Sequence, residues 1–320
     1  MGREVAKTAC ERAARGEASS RALVGVSIRR ARLVVVASAA LLLVLAAVSL
    51  VLGRYPIDPA QAVLMLVDRV VPVERVWTNQ QETLFFNVRL PRIALACMVG
   101  ASLSAAGAAF QGTFRNPLVS PDVLGASQGA ALGAAVVLVG VMVSSLCQAG
   151  VSFAKLVADP SNQLPAITYW LMGSLTGARM TDVLFAAVPM AVGAAVLLAL
   201  RWRINLLTMG DDEARTMGVN ARRLRMAVMV AATLLTAASV SVSGMIGWVG
   251  LVIPHVARML IGCDYRRLLP ASMLLGASFL LVVDNVSRLA YTAEIPIGIL
   301  TAFLGAPFFL YLIMTRRRGA

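Results

Sequence analysis

Residues 33–52 read LVVVASAALLLVLAAVSLVL, twenty in succession without a charge. Coiled at 1.5 Å per residue, such a run matches the ~30 Å hydrocarbon core of a bilayer. Of the 320 residues 59% are apolar and 14% charged, with mean hydropathy +0.79. A soluble domain carries roughly 45–50% apolar and ~25% charged residues. Further apolar blocks occupy approximately 93–112, 123–157, 183–200, 226–243, 246–262, 270–291 and 297–315, divided by short segments rich in Pro, Gly, Asn, Asp or Arg. The pattern excludes an ordinary soluble domain and predicts an all-α, polytopic membrane helical bundle of about eight spans.

The 29 basic and 16 acidic residues leave a net charge of +13, and every basic residue except Lys7 and Lys155 is arginine. In a polytopic chain this excess belongs to cytoplasmic loops rather than to nucleic-acid binding. The basic stretch 1–32 and the run Arg316-Arg317-Arg318 place both termini in the cytoplasm, which requires an even number of spans. With sides alternating, the segments assigned to the cytoplasm (1–32, 113–122, 201–225, 258–267, 316–318) hold 21 basic and 8 acidic residues, against 8 and 8 elsewhere. A double crossing within 123–157 would turn the arginine-rich 201–225 outward, so that block is expected to cross once. The expected organisation is a cytoplasmic tail over 1–32, a transmembrane domain over 33–315 with a cytoplasmic segment at 206–220, and a tail over 316–320.

Ionisable groups within apolar blocks are the first candidates for function, because hydrocarbon penalises an unpaired charge. His255 follows Pro254 in the block 246–262 and is the sole histidine, so no two-histidine metal site exists. A hydrogen-bonding role at a proline-broken helix is favoured for it. Asp284, Arg288 and Glu294 stand near the outer end of the block 270–291, spaced to pair with one another. Cys10, Cys97, Cys147 and Cys263 show no CxxC spacing and read as free, buried thiols. Nucleophile, zinc and nucleotide-binding motifs are absent, which argues against an enzyme.

The segment 201–225 differs from a plain loop. Between basic flanks it holds Gly210, Asp211, Asp212, Glu213, Ala214 and Arg215, with Gly218 beyond. Asp211 or Asp212 can cap a short helix and Gly218 can end it, offering a soluble partner a handle; a solvated loop serving topology is the alternative.

Arg89-Leu90-Pro91-Arg92, Gly107, Gln111, Asn116-Pro117-Leu118 and Pro121-Asp122 resemble the second and third helices of FecCD-type permeases. So do Asp159-Pro160, Asn162-Gln163-Leu164-Pro165-Ala166, Gly244 through His255, and Glu294-Ile295-Pro296-Ile297-Gly298 through Phe309. That family supplies the membrane subunits of ATP-driven importers for iron-siderophores, haem and cobalamin. The resemblance implies a multi-pass permease of the bacterial inner (plasma) membrane, surrounded by lipid. Its partners would be a second permease copy, two ATP-binding cassette subunits and a periplasmic or extracellular substrate-binding protein. It implies no cofactor in this chain, ATP and Mg being bound by the partner subunit. By position, Gly210–Val219 is similar to the family's coupling element. Arg89, Arg92 and Arg288 match the arginines that meet the docking protein, and Asn116, Pro117 and Leu118 match a loop near the inner gate. Pro254 and His255 would be structural or line the pathway.

One departure stands out. Family members have ten spans, whereas here Gly125–Leu138 is similar to the start of the third helix and Val139–Asp159 to the fifth, with roughly 35–40 residues missing, the length of a helical pair. The expected function is an iron-chelate importer permease, for a siderophore complex or haem, with cobalamin as the alternative. Outside that class stand an ion-driven secondary transporter, for which midplane carboxylates and inverted repeats are lacking, and a non-transporting remnant.

Overall fold

The computed structural model describes residues 28–55, 57–115, 131–291 and 293–317, and for 131–141, 211, 311–313 and 315–317 the backbone alone. The helices are α1 (Ile28–Val51), α2 (Pro59–Val67), α3 (Asn79–Thr83), α4 (Leu90–Thr113), α5 (Ala131–Val157) and α6 (Gln163–Leu171). They continue with α7 (Met180–Met209), α8 (Asp211–Thr216), α9 (Ala221–Ser243), α10 (Val249–Ile261), α11 (Tyr265–Leu289) and α12 (Ile297–Arg317). No strand occurs among the described residues. Among the described residues five helical stretches are long and apolar enough to cross a membrane: α1, Asn79–Thr113, α7, α9 and α11. Shorter apolar helices run over Met142–Val157, Val249–Ile261 and Ile297–Leu310.

The bundle has two ends. At the basic end Asn205 bonds Asp264 (2.8 Å) and Arg115 bonds the Leu207 carbonyl (2.8 Å). At the other, here the ion-pair end, Arg92 meets Asp284 and the Ser174 amide meets the Ser243 carbonyl. α1, α4, α7, α9 and α11 begin earlier than the apolar blocks they contain. The first turns of α1 carry Arg29, Arg30 and Arg32, and α11 starts at Tyr265, because Asp264 caps it by accepting from the Arg266 amide at 3.1 Å. Long arginine stems let such turns stay helical while the charged heads reach water.

α4 is the axis of the bundle and is buried almost throughout. Its small residues allow this, since in lipid helices associate through close backbone packing. A Cβ on Gly100 would overlap the Gly276 carbonyl of α11, and one on Gly107 would overlap Gly250 of α10. α4 is entered through a π-helical turn, Leu84–Arg89, in which the Leu90 amide bonds the Phe85 carbonyl. Pro91 has no N–H to return to residue 87, which favours the wider turn there.

Irregular backbone follows both α6 and α9. Gly173 (φ 74°) and Gly244 (φ 66°) hold left-handed conformations, and the amides of Ile297 and Gly298 donate to the carbonyls of Gly173 (2.9 Å) and Met172 (3.1 Å). Non-helical backbone at membrane depth persists only where protein satisfies it, as here.

Replacing Gly107 by Leu should separate α4 from α10 and lower the apparent Tm of the detergent-solubilised protein by the equivalent of about 1–3 kcal/mol or more. Gly150→Leu on α5, where an added Cβ meets nothing within 4 Å, should leave the melting curve in place. Equal melting of both variants would contradict the close-packed axis.

Candidate functional site: an ion network and a short helix at opposite ends

Arg92 (5% exposed) and Asp284 (fully buried) bring two charges into the bundle. Arg92 Nε donates to Asp284 Oδ1 at 2.8 Å, and its Nη1 donates to both Glu294 carboxylate oxygens at 3.0 and 2.9 Å. One helical turn along α11, Arg288 Nε stands 3.2 Å from Asp284 Oδ2, while its Nη2 donates to Ser49 Oγ (2.9 Å) and to Asn285. Thr176 completes the set by donating to Glu294 Oε2 at 2.5 Å. Two guanidinium groups thus face two carboxylates, and charge balance at this depth is what permits burial.

Arg89 (3% exposed) meets no carboxylate among the described residues. Its Nη1 donates to the carbonyls of Leu50 (2.5 Å) and Val51 (2.9 Å) and its Nη2 to that of Tyr55. Leu50 and Val51 end α1, where carbonyls lack helical partners and the helix dipole is negative, so a cation belongs there. Arg89 therefore locks the end of α1 onto α4.

Glu294 lies in the loop between α11 and α12. Burial alone would push its carboxyl up, but the Thr176 hydrogen bond and the Arg92 charge outweigh that and hold it below the ordinary carboxylate value.

At the basic end, α8 is a single amphipathic turn and a half. Ala214 is fully buried against the core, while Asp212, Glu213, Arg215 and Met217 face outward. Gly210 is its N-cap, not Asp211 or Asp212 as expected, because the chain leaves α7 extended and enters the helix at Asp211. Gly218 (φ 75°) ends it, and the Val219 amide returns to the Ala214 carbonyl at 3.0 Å. Asn205 fastens the adjoining end of α7 to α11, accepting from the Tyr265 amide (2.9 Å) as it donates to Asp264.

The expected site residues thus fall into separate groups. Arg89, Arg92 and Arg288 share the ion-pair end, but the first two turn inward, so their guanidinium groups are not open to a docking protein as expected. The reason is local: Asp284 at membrane depth requires a cation, and the end of α1 requires donors. Pro254 is inside α10, and the His255 ring meets Phe308 edge-on at 6.3 Å between centroids. Asn116, Pro117 and Leu118 lie outside the described residues. Cys147 and Cys263 are exposed, against expectation, and no group that could hold a metal ion occurs among the described residues. Sequence reading paired Asp284, Glu294 and Arg288 but missed Arg92 as their centre and Thr176, Ser49 and Asn285 as their partners. It also missed the buried pairing of Arg258 with Gln111, whose amide donates to the Gly250 carbonyl at 3.2 Å.

Asp284→Ala removes the carboxylate that Arg92 and Arg288 share and should destabilise by about 3–5 kcal/mol, whereas the double change Asp284→Leu/Arg288→Met, which leaves the Arg92–Glu294 pair in place, should recover much of that loss in thermal unfolding. A double variant as unstable as the single one would show that charge pairing is not what matters. Since the carboxyl of Glu294 is held below its ordinary 4.5, its contribution is complete above that value and is lost as pH falls through the lower folded value. Glu294→Gln should flatten this acid slope of Tm; an unchanged slope would assign it to other groups.

A sequence model of the FecCD transport family matches residues 40–137 and 134–315. The molybdate import permease MolB of Haemophilus influenzae is 38% identical over 85% of this chain and 92% of its own length. The hemin transport permease HmuU of Yersinia pestis is 36% identical over 73% and 84%, and the cobalamin import permease BtuC of Halobacterium salinarum 40% over 72% and 73%. A solved structure described as the inward-facing conformation of a metal-chelate type ABC transporter superposes with TM-score 0.76 at 36% identity, covering 88% of this chain and 98% of that one. The two family matches meet at residues 134–137, inside α5. The MolB alignment spans 313 positions but uses 85% of 320 residues, about 272, so about 41 positions lack a counterpart here, enough for two crossings of ~20 residues. Matched from residue 40 to residue 315, the chain belongs to the FecCD transport family.

Proposed function

We propose that this chain is the permease subunit of an ATP-driven, binding-protein-dependent importer of an iron chelate, a siderophore complex or haem, in a bacterial inner membrane. The match to the FecCD family over almost the whole bundle carries the reading, and relatives named for iron chelatin and hemin support this substrate class. It works as a homodimer with two ATP-binding subunits, which supply ATP and Mg chemistry.

α8 is the contact for those subunits. Its buried Ala214 seats it on the core, its exposed Asp212 and Arg215 offer charge to a soluble partner, and the Asn205–Asp264 link couples it to α11. A displacement of α8 therefore reaches the ion-pair end through packed helices, as alternating access requires. The binding protein docks at the ion-pair end, on the surface that Arg89, Arg92 and Arg288 brace from within.

A second substrate reading is molybdate, favoured because MolB aligns over 92% of its length. The break in the family match within α5 favours a non-transporting remnant.

Uptake into cells expressing the chain with its partner subunits should show 55Fe-chelate accumulation that requires ATP and falls at least tenfold in Asp212→Lys/Arg215→Glu. Molybdate uptake without iron-chelate uptake would replace the substrate, and failure of both in an assembled complex would establish the remnant. Accumulation independent of the ATP-binding subunits would reject the ABC importer reading.

A further inference from the structure

α1 is fastened to the bundle near its two ends. At the basic end Ala31 is buried beside Ile261 and Ala271. Near the ion-pair end Ser49 Oγ donates to Asn285 Oδ1 at 2.9 Å, and Arg89 holds the carbonyls of Leu50 and Val51. Between these ties Leu42, Leu45, Ala46 and Leu50 pack partly on the core, and Leu41 and Leu45 also line a cavity of about 460 Å³ bounded by α10, α11 and α12. Trp248, Val256, Phe279 and Phe308 are among its walls.

The walls admit hydrocarbon and little else. The hydroxyls of Ser278 and Thr301 already donate to the carbonyls of Leu274 (2.9 Å) and Gly298 (3.1 Å), so neither is left seeking a polar guest. At ~30 Å³ for a water-sized group, the space holds about 15 such groups in line, the bulk of one acyl chain rather than of a folded segment. Interiors do not leave gaps of this size empty when hydrocarbon surrounds them.

Exposed apolar side chains continue from the cavity toward the ion-pair end. Leu41 and Val48 on α1 and Leu52 just beyond it are exposed, as are Val282, Val286 and Leu289 on α11. Spacings of seven and four residues on the first side and of four and three on the second keep each set near one helix face. Both stripes climb to the ion-pair end. There the exposed Arg54 donates to the carbonyls of Arg288 (3.3 Å) and Tyr291 (2.6 Å), and the Tyr291 ring is exposed beside it. Val51 lies six residues above Leu45, about 9 Å along α1, and ten above Leu41, about 15 Å. Half of a ~30 Å core is the same depth, so a chain starting at Arg54 ends in the cavity. A guanidinium and an interfacial tyrosine at the head of an apolar track form a fitting receptacle for a phosphate ester with a hydrocarbon tail.

We propose that this cleft is a lipid site: a phospholipid of the leaflet at the ion-pair end places one acyl chain between α1 and α12 and its phosphate on Arg54. The lipid serves as a wedge that fixes α1, which touches the bundle only in part, against α10 and α12. The site stands independently of the transported substrate.

The test uses the full-length protein in vesicles of phosphatidylethanolamine and phosphatidylglycerol containing a phosphatidylglycerol with a diazirine at the end of one acyl chain. Photolysis and peptide mass spectrometry should place the label on peptides holding Leu41–Leu45 and Val282, well above labelling of the exposed α7 residues Leu184 and Val188. Native mass spectrometry should retain one phospholipid per chain, and Arg54→Gln should lower that occupancy about tenfold. Val282→Trp at the mouth should abolish the label, with a monodisperse elution profile showing that the fold is kept. Labelling no stronger than on α7 would mean surrounding bilayer only. A headgroup-placed diazirine that marks Arg29–Arg32 would assign the lipid to the opposite leaflet. Retention unchanged in Arg54→Gln and lost equally to dodecane would mean hydrocarbon filling alone. Cross-linking of the cleft to a second polypeptide would give it a protein occupant. Each of these four results overturns the proposal.

Discussion

Arg92 bonded to Asp284 and Glu294 is the interaction on which the rest of the structure depends. Two charges at membrane depth have no water to fall back on, so helix α4, helix α11 and the loop after α11 are held wherever those three side chains can meet. The register between α4 and α11 that this imposes also sets Gly100 against Gly276, where backbones touch. Charge pairing and small-residue packing thus select one alignment of the two central helices. Neither would do so alone, since small-residue stripes can slide and ion pairs can swivel.

The opposite end is built on different physics. There the chain uses exposed charge, one buried methyl group at Ala214 and a side-chain bridge through Asn205, which together hold a short helix at the surface without sinking it. The short helix is thus accessible along its charged side and joined to the core through Ala214 and the neighbouring Asn205. The ion-pair end is rigid, neutral in its paired charges and closed; the basic end is open and positive.

The two family matches meet inside α5, whose residues from Met142 onward are mostly exposed, and not within α4 or α11. About 41 positions of the MolB alignment lack a counterpart in this chain.

The all-α membrane fold, the approximate place of the long apolar helices, the short helix ending at Gly218 and the family resemblance were legible in the sequence, whereas α2, α3 and α6 were not, because hydrocarbon length, charge asymmetry and glycine in a left-handed turn are local properties and short half-polar helices carry no such signal. Asp284, Arg288 and Glu294 could be grouped for the same reason, standing within ten residues of one another. The inward turn of Arg89 and Arg92 could not be read that way. Arg92 meets partners 192 and 202 residues distant, and Arg89 binds carbonyls that any sequence would possess. Which arginines are buried, and which partners they meet there, was decided by tertiary packing, because only the assembled helices set which polar groups lose water together.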